Sequence, residues 1–429
     1  MSAARSARDG FTAGLVPILV GAAVVAVVCV ASVTVDGLAP GSVALSVAFV
    51  AMIAVGEVVR ISLPGDRETA PIGAAGALAF ALVPMYDQTP QTYSVAQVVA
   101  VTTVAIALGS IPHLAVGRGV RVDEFARRIL VVAFVAAVFR PLLASGAVSY
   151  DVSKSLAMIM AAVALAGTVL DGVLDALLRA ARDHSPLRTA LLDGVRASAG
   201  IGSAVAVTGV LIALATPVMG IWALPVLALP LLLTQFSFRR YAAIRQTYLQ
   251  TIRALSRVTE VGGYTETGHA RRVSRLAVAM GRELGLSERE LVDLEYAALM
   301  HDIGQLSLAE PIPGGATTVV SPEEQRQIAA QGGAVIRQTG VMDQVAVIVE
   351  RQADPWRPRH GVSDDTLPLE SRIIRVANSF DDLVGASVET DRWLQALERL
   401  SLGTVREFDP RVVETLSRIV ERQSVLAPL

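Results

Sequence analysis

His269, His301 and Asp302 are the residues best placed to do chemistry together. They lie in the stretch GYTETGHARRVSRLAVAMGRELGLSERELVDLEYAALMHDIGQLSL, residues 263–308. His269 falls at the start of one helical segment, and the adjacent His301 and Asp302 fall on a later one. Neighbouring side chains on a helix point about 100° apart. The pair therefore cannot both face a core as ordinary residues, yet both can reach one ion. Two imidazoles and a carboxylate suit a first-row divalent metal. A His-Asp pair alone recurs by chance. A preceding helix that opens on His269, and Gly304 ending the second helix, make the pattern more specific. The chain has five histidines in all, too few for a second cluster. His113 lies at the end of an apolar helix, His184 sits in a basic loop, and nothing in the spacing obliges His360 to reach the site. The alternative without an ion is a hydrogen-bonded His301-Asp302 pair inside a helical bundle.

Local signals supply the helices that must hold these residues. Ser287 followed by Glu290 is a capping box, and Ser321 followed by Glu324 is a second, with Pro322 at the first helical position. Val273, Leu276 and Met280 form one apolar stripe; Leu291, Leu294 and Ala298 form another. Residues 311–320 and 354–367 read as loops, and no run alternates like an edge strand. The domain from residue 263 to 429 is therefore expected to be all-α. Upstream, residues 239–261 contain no Gly or Pro. Their apolar positions Ile244, Tyr248, Ile252, Leu255 and Val258 follow helical spacing. Such a stripe needs a partner, and a parallel copy of itself is the simplest. This predicts a homodimer through residues 239–262; the alternative is packing on the chain's own soluble domain. Gly262-Gly263 should break this helix.

The rest of the chain is of another kind. The sequence is 53% hydrophobic and 18% charged over 429 residues, against about 25% charged in an ordinary soluble domain. Residues 1–238 hold 27 of the 76 Asp, Glu, Lys and Arg, and residues 239–429 hold 49. This composition excludes a disordered chain and a wholly soluble one. A net charge of −2 argues against nucleic acid as a partner. The single cysteine, Cys29, excludes a disulfide framework. Eight apolar segments are expected to span a lipid membrane, at 14–34, 42–61, 71–86, 93–116, 129–147, 155–178, 197–215 and 218–236. The third is short and rich in Gly and Ala, and the last two meet at Thr216-Pro217. Fourteen arginines lie in alternate loops (Arg5, Arg8, Arg60, Arg67, Arg118, Arg121, Arg127, Arg128, Arg179, Arg182, Arg188, Arg196, Arg239 and Arg240), against Lys154 in the others. By the positive-inside rule both termini are cytoplasmic, in a multi-pass protein of the inner or plasma membrane.

Glu57, Arg140, Asp171 and Asp175 fall in or at the ends of these segments. Either they form a ligand or ion site, with Arg140 paired to an acid, or the acids are hydrated near the cytoplasmic ends. Pro84, Pro112, Pro141, Pro225 and Pro230 mark kinks or ends.

Residues 250–385 resemble an HD domain of the HD-GYP type, a metal-dependent phosphohydrolase family. The matching pieces are Tyr264-Thr265, Gly268-His269, Arg272-Val273, Leu284-Gly285-Leu286-Ser287, Ala297-Ala298-Leu299, His301-Asp302-Ile303-Gly304, Gly333-Ala334, Arg375-Val376-Ala377 and Phe380-Asp381. The resemblance implies hydrolysis of cyclic di-GMP at a centre of two or three metals, usually iron, with His269, His301 and Asp302 as ligands. It also exposes departures. Gln305 stands where the family has Lys, and Ala329 where it has His. Gln352, Ala353 and Asp354 replace a His-His-Glu segment, and Arg357 to Gly361 replace the GYP motif. Asn378 occupies the place of the last ligand Asp, and a neutral amide is a poorer ligand for a hard divalent cation.

Three readings follow. The first is a membrane-bound signalling or regulatory protein with a degenerate HD-GYP-like domain, weakly active or non-catalytic, that holds at most one divalent ion such as iron or manganese. The second is a metal-dependent phosphohydrolase acting on cyclic di-GMP or another nucleotide phosphodiester. The third is a transporter with a regulatory tail, disfavoured by the lack of an internal repeat.

Overall fold

The computed structural model describes residues 2–426 except 64–66, 118–121, 184, 313–319, 341, 358–362, 388 and 405. Arg118, Arg121, His184, His360 and most of the loop expected at 311–320 thus lie outside the described residues. The chain divides into two compact units, one of residues 9–182 with 190–243, the other of residues 1–8, 183–189 and 244–429.

The first unit contains most of α1 (Ser2–Asp36), then α2 (Val43–Val58), α3 (Pro71–Leu82), α4 (Val95–Ala115), α5 (Val122–Ala144), α6 (Lys154–Asp183), α7 (Leu187–Ala197), α8 (Ser203–Met219) and the start of α9 (Ala223–Val261). Among the described residues, four helical runs are long and apolar enough to cross a membrane: Val16–Asp36, Val95–Ala115, Lys154–Arg182 and Gly200–Val261. The last run is interrupted at Gly220–Trp222, where a 3-10 turn separates α8 from α9 a few residues beyond Thr216-Pro217. α2 and α3 are shorter apolar helices. At 12 residues, α3 is about 18 Å long, well under the ~30 Å of a bilayer core. It ends before Pro84, and the chain then turns back as a small hairpin.

α3 is the centre of this unit, buried along nearly its whole length and packed on α2, α4, α5 and α8. Glycines on these helices make the close packing feasible. A Cβ on Gly56 of α2 would sit 2.2 Å from the Gly73 nitrogen of α3, and one on Gly109 of α4 would sit 2.6 Å from the Ala54 carbonyl. Small residues let apolar helices approach backbone to backbone. Above this crossing Phe80 stacks on Tyr93 at 4.8 Å and tilts against Phe49 at 5.1 Å.

Two antiparallel strand pairs interrupt the helices, β1 (Ile61–Leu63) with β2 (Arg67–Thr69) and β3 (Met85–Tyr86) with β4 (Thr89–Pro90). The expectation of helices alone missed both, because strands of two or three residues are too short to show alternation. The β3–β4 turn places Asp87 and Gln88 at φ 48° and 58°, the left-handed pair of a type I′ turn.

The second unit continues α9 into α10 (His269–Glu283), α11 (Glu288–Met300), α12 (Pro322–Arg337), α13 (Asp343–Arg351), α14 (Leu369–Val384), α15 (Thr390–Gly403) and α16 (Pro410–Leu426). Both capping boxes form, at Ser287/Glu290 and Ser321/Glu324. A single core gathers Val273, Met280, Leu294, Ile348, Ile374 and Leu416.

The apolar stripe of α9 does not act as one surface. Ile252 is buried in this core with Leu249 packed against it, and Ser256 and Thr259 are buried on the same side. Ile244, Tyr248, Leu255 and Val258 stay exposed. On a helix the two sets centre roughly 100° apart, so Ile252 belongs to the inward face. Gly262 and Gly263 end the helix, with Gly263 at φ 74°.

Candidate metal centre

Each site residue stands where a helix begins, ends or crosses another. Gly268, at φ 82°, turns the chain so that α10 opens on His269. α11 ends at Met300; His301 is its C-cap, and Asp302 (φ −97°, ψ 3°) starts a 3-10 turn, Ile303–Ser307. The expected placement of His301 and Asp302 on one helix is therefore corrected. The change of helix type lets the two side chains converge. Gly304 does not simply end a helix either. A Cβ there would lie 1.9 Å from the Ile328 carbonyl, so its missing side chain admits the backbone of α12. Asn378 lies in the middle of α14, and Asp381 one turn further along.

The structure brings all four sequence candidates together. His269 Nε2 is 3.3 Å from His301 Nε2 and 3.3 Å from Asp302 Oδ2. His301 Nε2 is 3.0 Å from Asp302 Oδ2 and 3.2 Å from Asn378 Oδ1. All four side chains are buried. Their ring orientations follow from outer partners. His269 Nδ1 faces Asp381 Oδ2 at 2.7 Å, and His301 Nδ1 faces the Ala298 carbonyl at 2.9 Å. A carboxylate and a carbonyl only accept, so both Nδ1 atoms donate. Neutral imidazoles held this way turn both Nε2 lone pairs inward, towards each other and towards Asp302. Three acceptors converging in a buried space need a cation among them, either a proton on one ring or a metal ion.

The spacing fits an ion. With metal–ligand bonds of about 2.1 Å, donor atoms lie about 3.0 Å apart at the edge of an octahedron and about 3.4 Å apart in a tetrahedron. The four distances above fall within that range.

With a proton instead, the same carboxylates hold it. Burial pulls the His269 imidazole down, but the hydrogen bonds it donates to Asp302 and Asp381 outweigh burial and hold its pKa at about 10. His301 is also raised; burial opposes this and the charge of Asp302 overcomes it. Asp302 and Asp381 both lie below the ordinary carboxylate range. Burial opposes the shift in each. His301 and His269 outweigh it at Asp302, and His269 and Arg272 do so at Asp381.

Asp381 was not singled out for a role in the sequence. Its signal was an acid three residues after Asn378, hence on nearly the same face of α14. Arg272 grips it, with Nε 2.8 Å from Oδ1 and Nη2 2.9 Å from Oδ2.

Several other described positions are engaged elsewhere or carry no ligand atom. Ala329 and Ala353 are buried methyls. Gln352 spends its amide on the His301 carbonyl at 2.6 Å, and Asp354 pairs with Arg351 at 3.0 Å. Gln305 is fully buried in the 3-10 turn. Among the described residues, His269, His301 and Asp302 are the one group of three His, Cys, Asp or Glu side chains that converges.

Glu57 departs from both expectations, whereas Asp171 and Asp175 stay partly exposed while pairing with arginines. Glu57 is buried rather than hydrated, and it pairs with Arg128. Arg128 also reaches Glu124 at 3.0 Å. Arg127 pairs with Asp171 at 2.5 Å, and Arg179 with Asp175 at 2.7 Å. Arg140 is paired to no acid among its contacts. It donates to the carbonyls of Phe80 (2.7 Å), Val83 (3.0 Å) and Gln91 (3.3 Å) and lies 3.9 Å over the Tyr93 ring. It caps the C-terminal end of α3, where the helix dipole is negative.

Residues 253–412 match the family model described as HD domain. Over 178 residues the chain is 29% identical to the cyclic di-GMP phosphodiesterase response regulator RpfG of Xanthomonas campestris pv. campestris, covering 39% of this chain and 47% of that protein. It is 25% identical over 148 residues to a cyclic di-GMP phosphodiesterase of Thermotoga maritima, covering 32% and 39%. It is 22% identical over 182 residues to the 3'3'-cGAMP-specific phosphodiesterase 2 of Vibrio cholerae, covering 40% and 35%. The chain thus spans less than half the length of the curated relatives it matches.

Proposed function

With residues 253–412 forming an HD domain, we propose that this protein is a membrane-bound regulator. Its helical domain holds one divalent cation and binds a nucleotide phosphodiester, and hydrolysis is slow or lost. The convergence of His269, His301 and Asp302 at 3.0–3.3 Å, with the Asn378 oxygen 3.2 Å from His301 Nε2, carries this reading. The set offers one negative charge, two neutral imidazoles and one amide oxygen. That suits one ion of the iron or manganese kind. The alanines at 329 and 353, and Gln352 engaged on a backbone carbonyl, argue against a second ion. Phosphodiester hydrolysis at paired metals uses one ion to activate water and the other to neutralise the leaving oxygen. A bound cation here would supply charge to a phosphoryl oxygen. The chain's own part is to fix both imidazoles through Asp381 and Ala298, and to exclude water from the buried side.

The apolar helices support attachment to a lipid membrane, and the arginine pattern supports cytoplasmic termini. The exposed face of α9 supports a homodimer. Tyr241, Ile244, Tyr248, Thr251, Leu255 and Val258 follow a 3-4 heptad spacing on one outward side, the pattern of a two-stranded seam. Motion of such a helix against its copy is a means of signalling from bundle to domain.

The second reading is an active cyclic dinucleotide phosphodiesterase, favoured by the printed names of the relatives. The full-length protein, loaded with Mn²⁺ or Fe²⁺ and mixed with cyclic di-GMP, decides between them. The proposal expects metal-dependent nucleotide binding with turnover below about 10⁻² s⁻¹, against the 1–10³ s⁻¹ typical of enzymes. Turnover within the typical range would establish the second reading.

A further inference from the structure

Arg272 lies on α10 one turn after His269 and makes no contact with the centre itself. Its guanidinium is nonetheless tied to everything that orients His269. Nε donates to Asp381 Oδ1 at 2.8 Å and Nη2 to Asp381 Oδ2 at 2.9 Å. Nη2 also donates to Glu266 Oε2 at 2.8 Å, and Nη1 to the Thr267 carbonyl at 3.2 Å. Four N–H bonds thus run to α14 and to the turn that precedes α10. The two-point grip engages both oxygens of Asp381, so the carboxylate cannot rotate. Oδ2 remains aimed at His269 Nδ1, 2.7 Å away.

We infer that Arg272 is a positioning residue. Acting through Asp381, it holds the His269 ring with Nδ1 turned outward and Nε2 presented to the ion. This rests on the one-cation reading above. The physical reason is the shape of the donor rather than its charge. A guanidinium matches a carboxylate with two parallel N–H bonds, whereas an ammonium is a point charge that fixes no plane. Without that grip Asp381 is free to turn, and His269 gains the option of presenting Nδ1 instead. The bonds to Glu266 and Thr267 serve the same end, because they anchor the turn at Gly268 from which His269 projects. Outer partners of ligating imidazoles typically account for 10–100-fold in metal affinity, and Arg272 is one step further out than Asp381.

The test uses the full-length protein in detergent with His113, His184 and His360 each changed to Asn. Of the five histidines, only His269 and His301 then remain. ¹⁵N-histidine labelling and loading with ¹¹³Cd²⁺ reveal which ring nitrogen couples to the metal, and Mn²⁺ titration gives affinity. In the parent both histidines should couple through Nε2. In Arg272→Gln and in Arg272→Lys, Mn²⁺ affinity should fall about tenfold or more, and His269 should divide between Nε2 and Nδ1 coupling. Asp381→Asn, which preserves volume, should do the same and serves if Arg272→Gln fails to fold. Full affinity with unchanged Nε2 coupling in Arg272→Lys would overturn the inference, since charge alone would then suffice. Unchanged behaviour in all three variants would also overturn it while leaving the ion site intact. A parent that takes up neither ion would overturn the site itself and the inference with it.

Discussion

The protein contains two buried polar clusters, and they are built on opposite principles. In the apolar bundle Glu57, Glu124 and Asp171 each meet an arginine, and the helices that carry them cross on glycines. Each of these acids has its counter-charge within the protein. In the helical domain His269, His301 and Asp302 aim acceptors at a common point, and their nearest arginine is held one residue away by Asp381. The first cluster is complete as folded. The second is balanced only by a further positive charge, a proton on one ring or a metal ion. Buried charge alone therefore does not distinguish a functional site from a structural one; whether the donors and acceptors balance does.

The largest expected effect breaks the balanced cluster. Glu57→Ala leaves Arg128 short of a buried partner and should destabilise the bundle by about 3–5 kcal/mol, read as loss of helicity on detergent titration. Replacing both partners, Glu57→Leu with Arg128→Met, should recover most of it. If the single variant is as stable as the parent, the pair is not buried as described.

A smaller effect sharpens where one region ends and the other begins. Ile252 is in the domain core and Leu255 is not. Ile252→Ala should cost about 2–4 kcal/mol of domain stability. Leu255→Ala should stay within about 0.5 kcal/mol for the single chain and should instead weaken cross-linking between copies. Equal losses in both would restore a single continuous stripe.

Acidity offers a third contrast. In chelator-treated protein His269 titrates near 10, above the ordinary value of about 6.5. Its contribution is complete below about pH 6.5 and is lost as pH rises towards 10. Asp302 and Asp381 are depressed, so their contributions hold above about pH 4 and are lost on acidification. The domain should therefore be most stable between about pH 4 and 6.5. Saturating Mn²⁺ should reverse the slope above pH 6.5, because ion binding displaces the proton. Melting followed by tryptophan fluorescence in a Trp222→Phe background checks this, and a flat profile without metal would contradict it.

The smallest effect concerns a purely local device. Ser287→Ala removes a capping box and should lower the melting stability of the domain by about 1 kcal/mol, with metal affinity unchanged.

What the sequence disclosed follows from the range of each interaction. Both capping boxes lie within four residues and were legible. His269, His301 and Asp302 were legible because their types are rare here and their spacing recurs in a known family. The pairing of Glu57 with Arg128 joins residues 71 apart and leaves no periodic trace, so Glu57 read as an ordinary hydrated end. Pairing to an acid stayed one of two readings of Arg140, because carbonyl partners at a helix end cannot be seen from side-chain types. Ile252 fitted the α9 stripe by spacing, but only the packed core reveals which of two adjacent faces it joins. Asp381 and Arg272 were visible as family-like residues, and their joint hold on His269 required the geometry of α10 against α14.

The central claim is that four side chains make a place for one cation. Metal analysis of the purified full-length protein, after incubation with Fe²⁺ or Mn²⁺ and removal of excess, tests it most directly beside an Asp302→Ala variant. The parent should hold about one ion per chain and the variant almost none. Two or more ions per chain, or the same content in parent and variant, would contradict it.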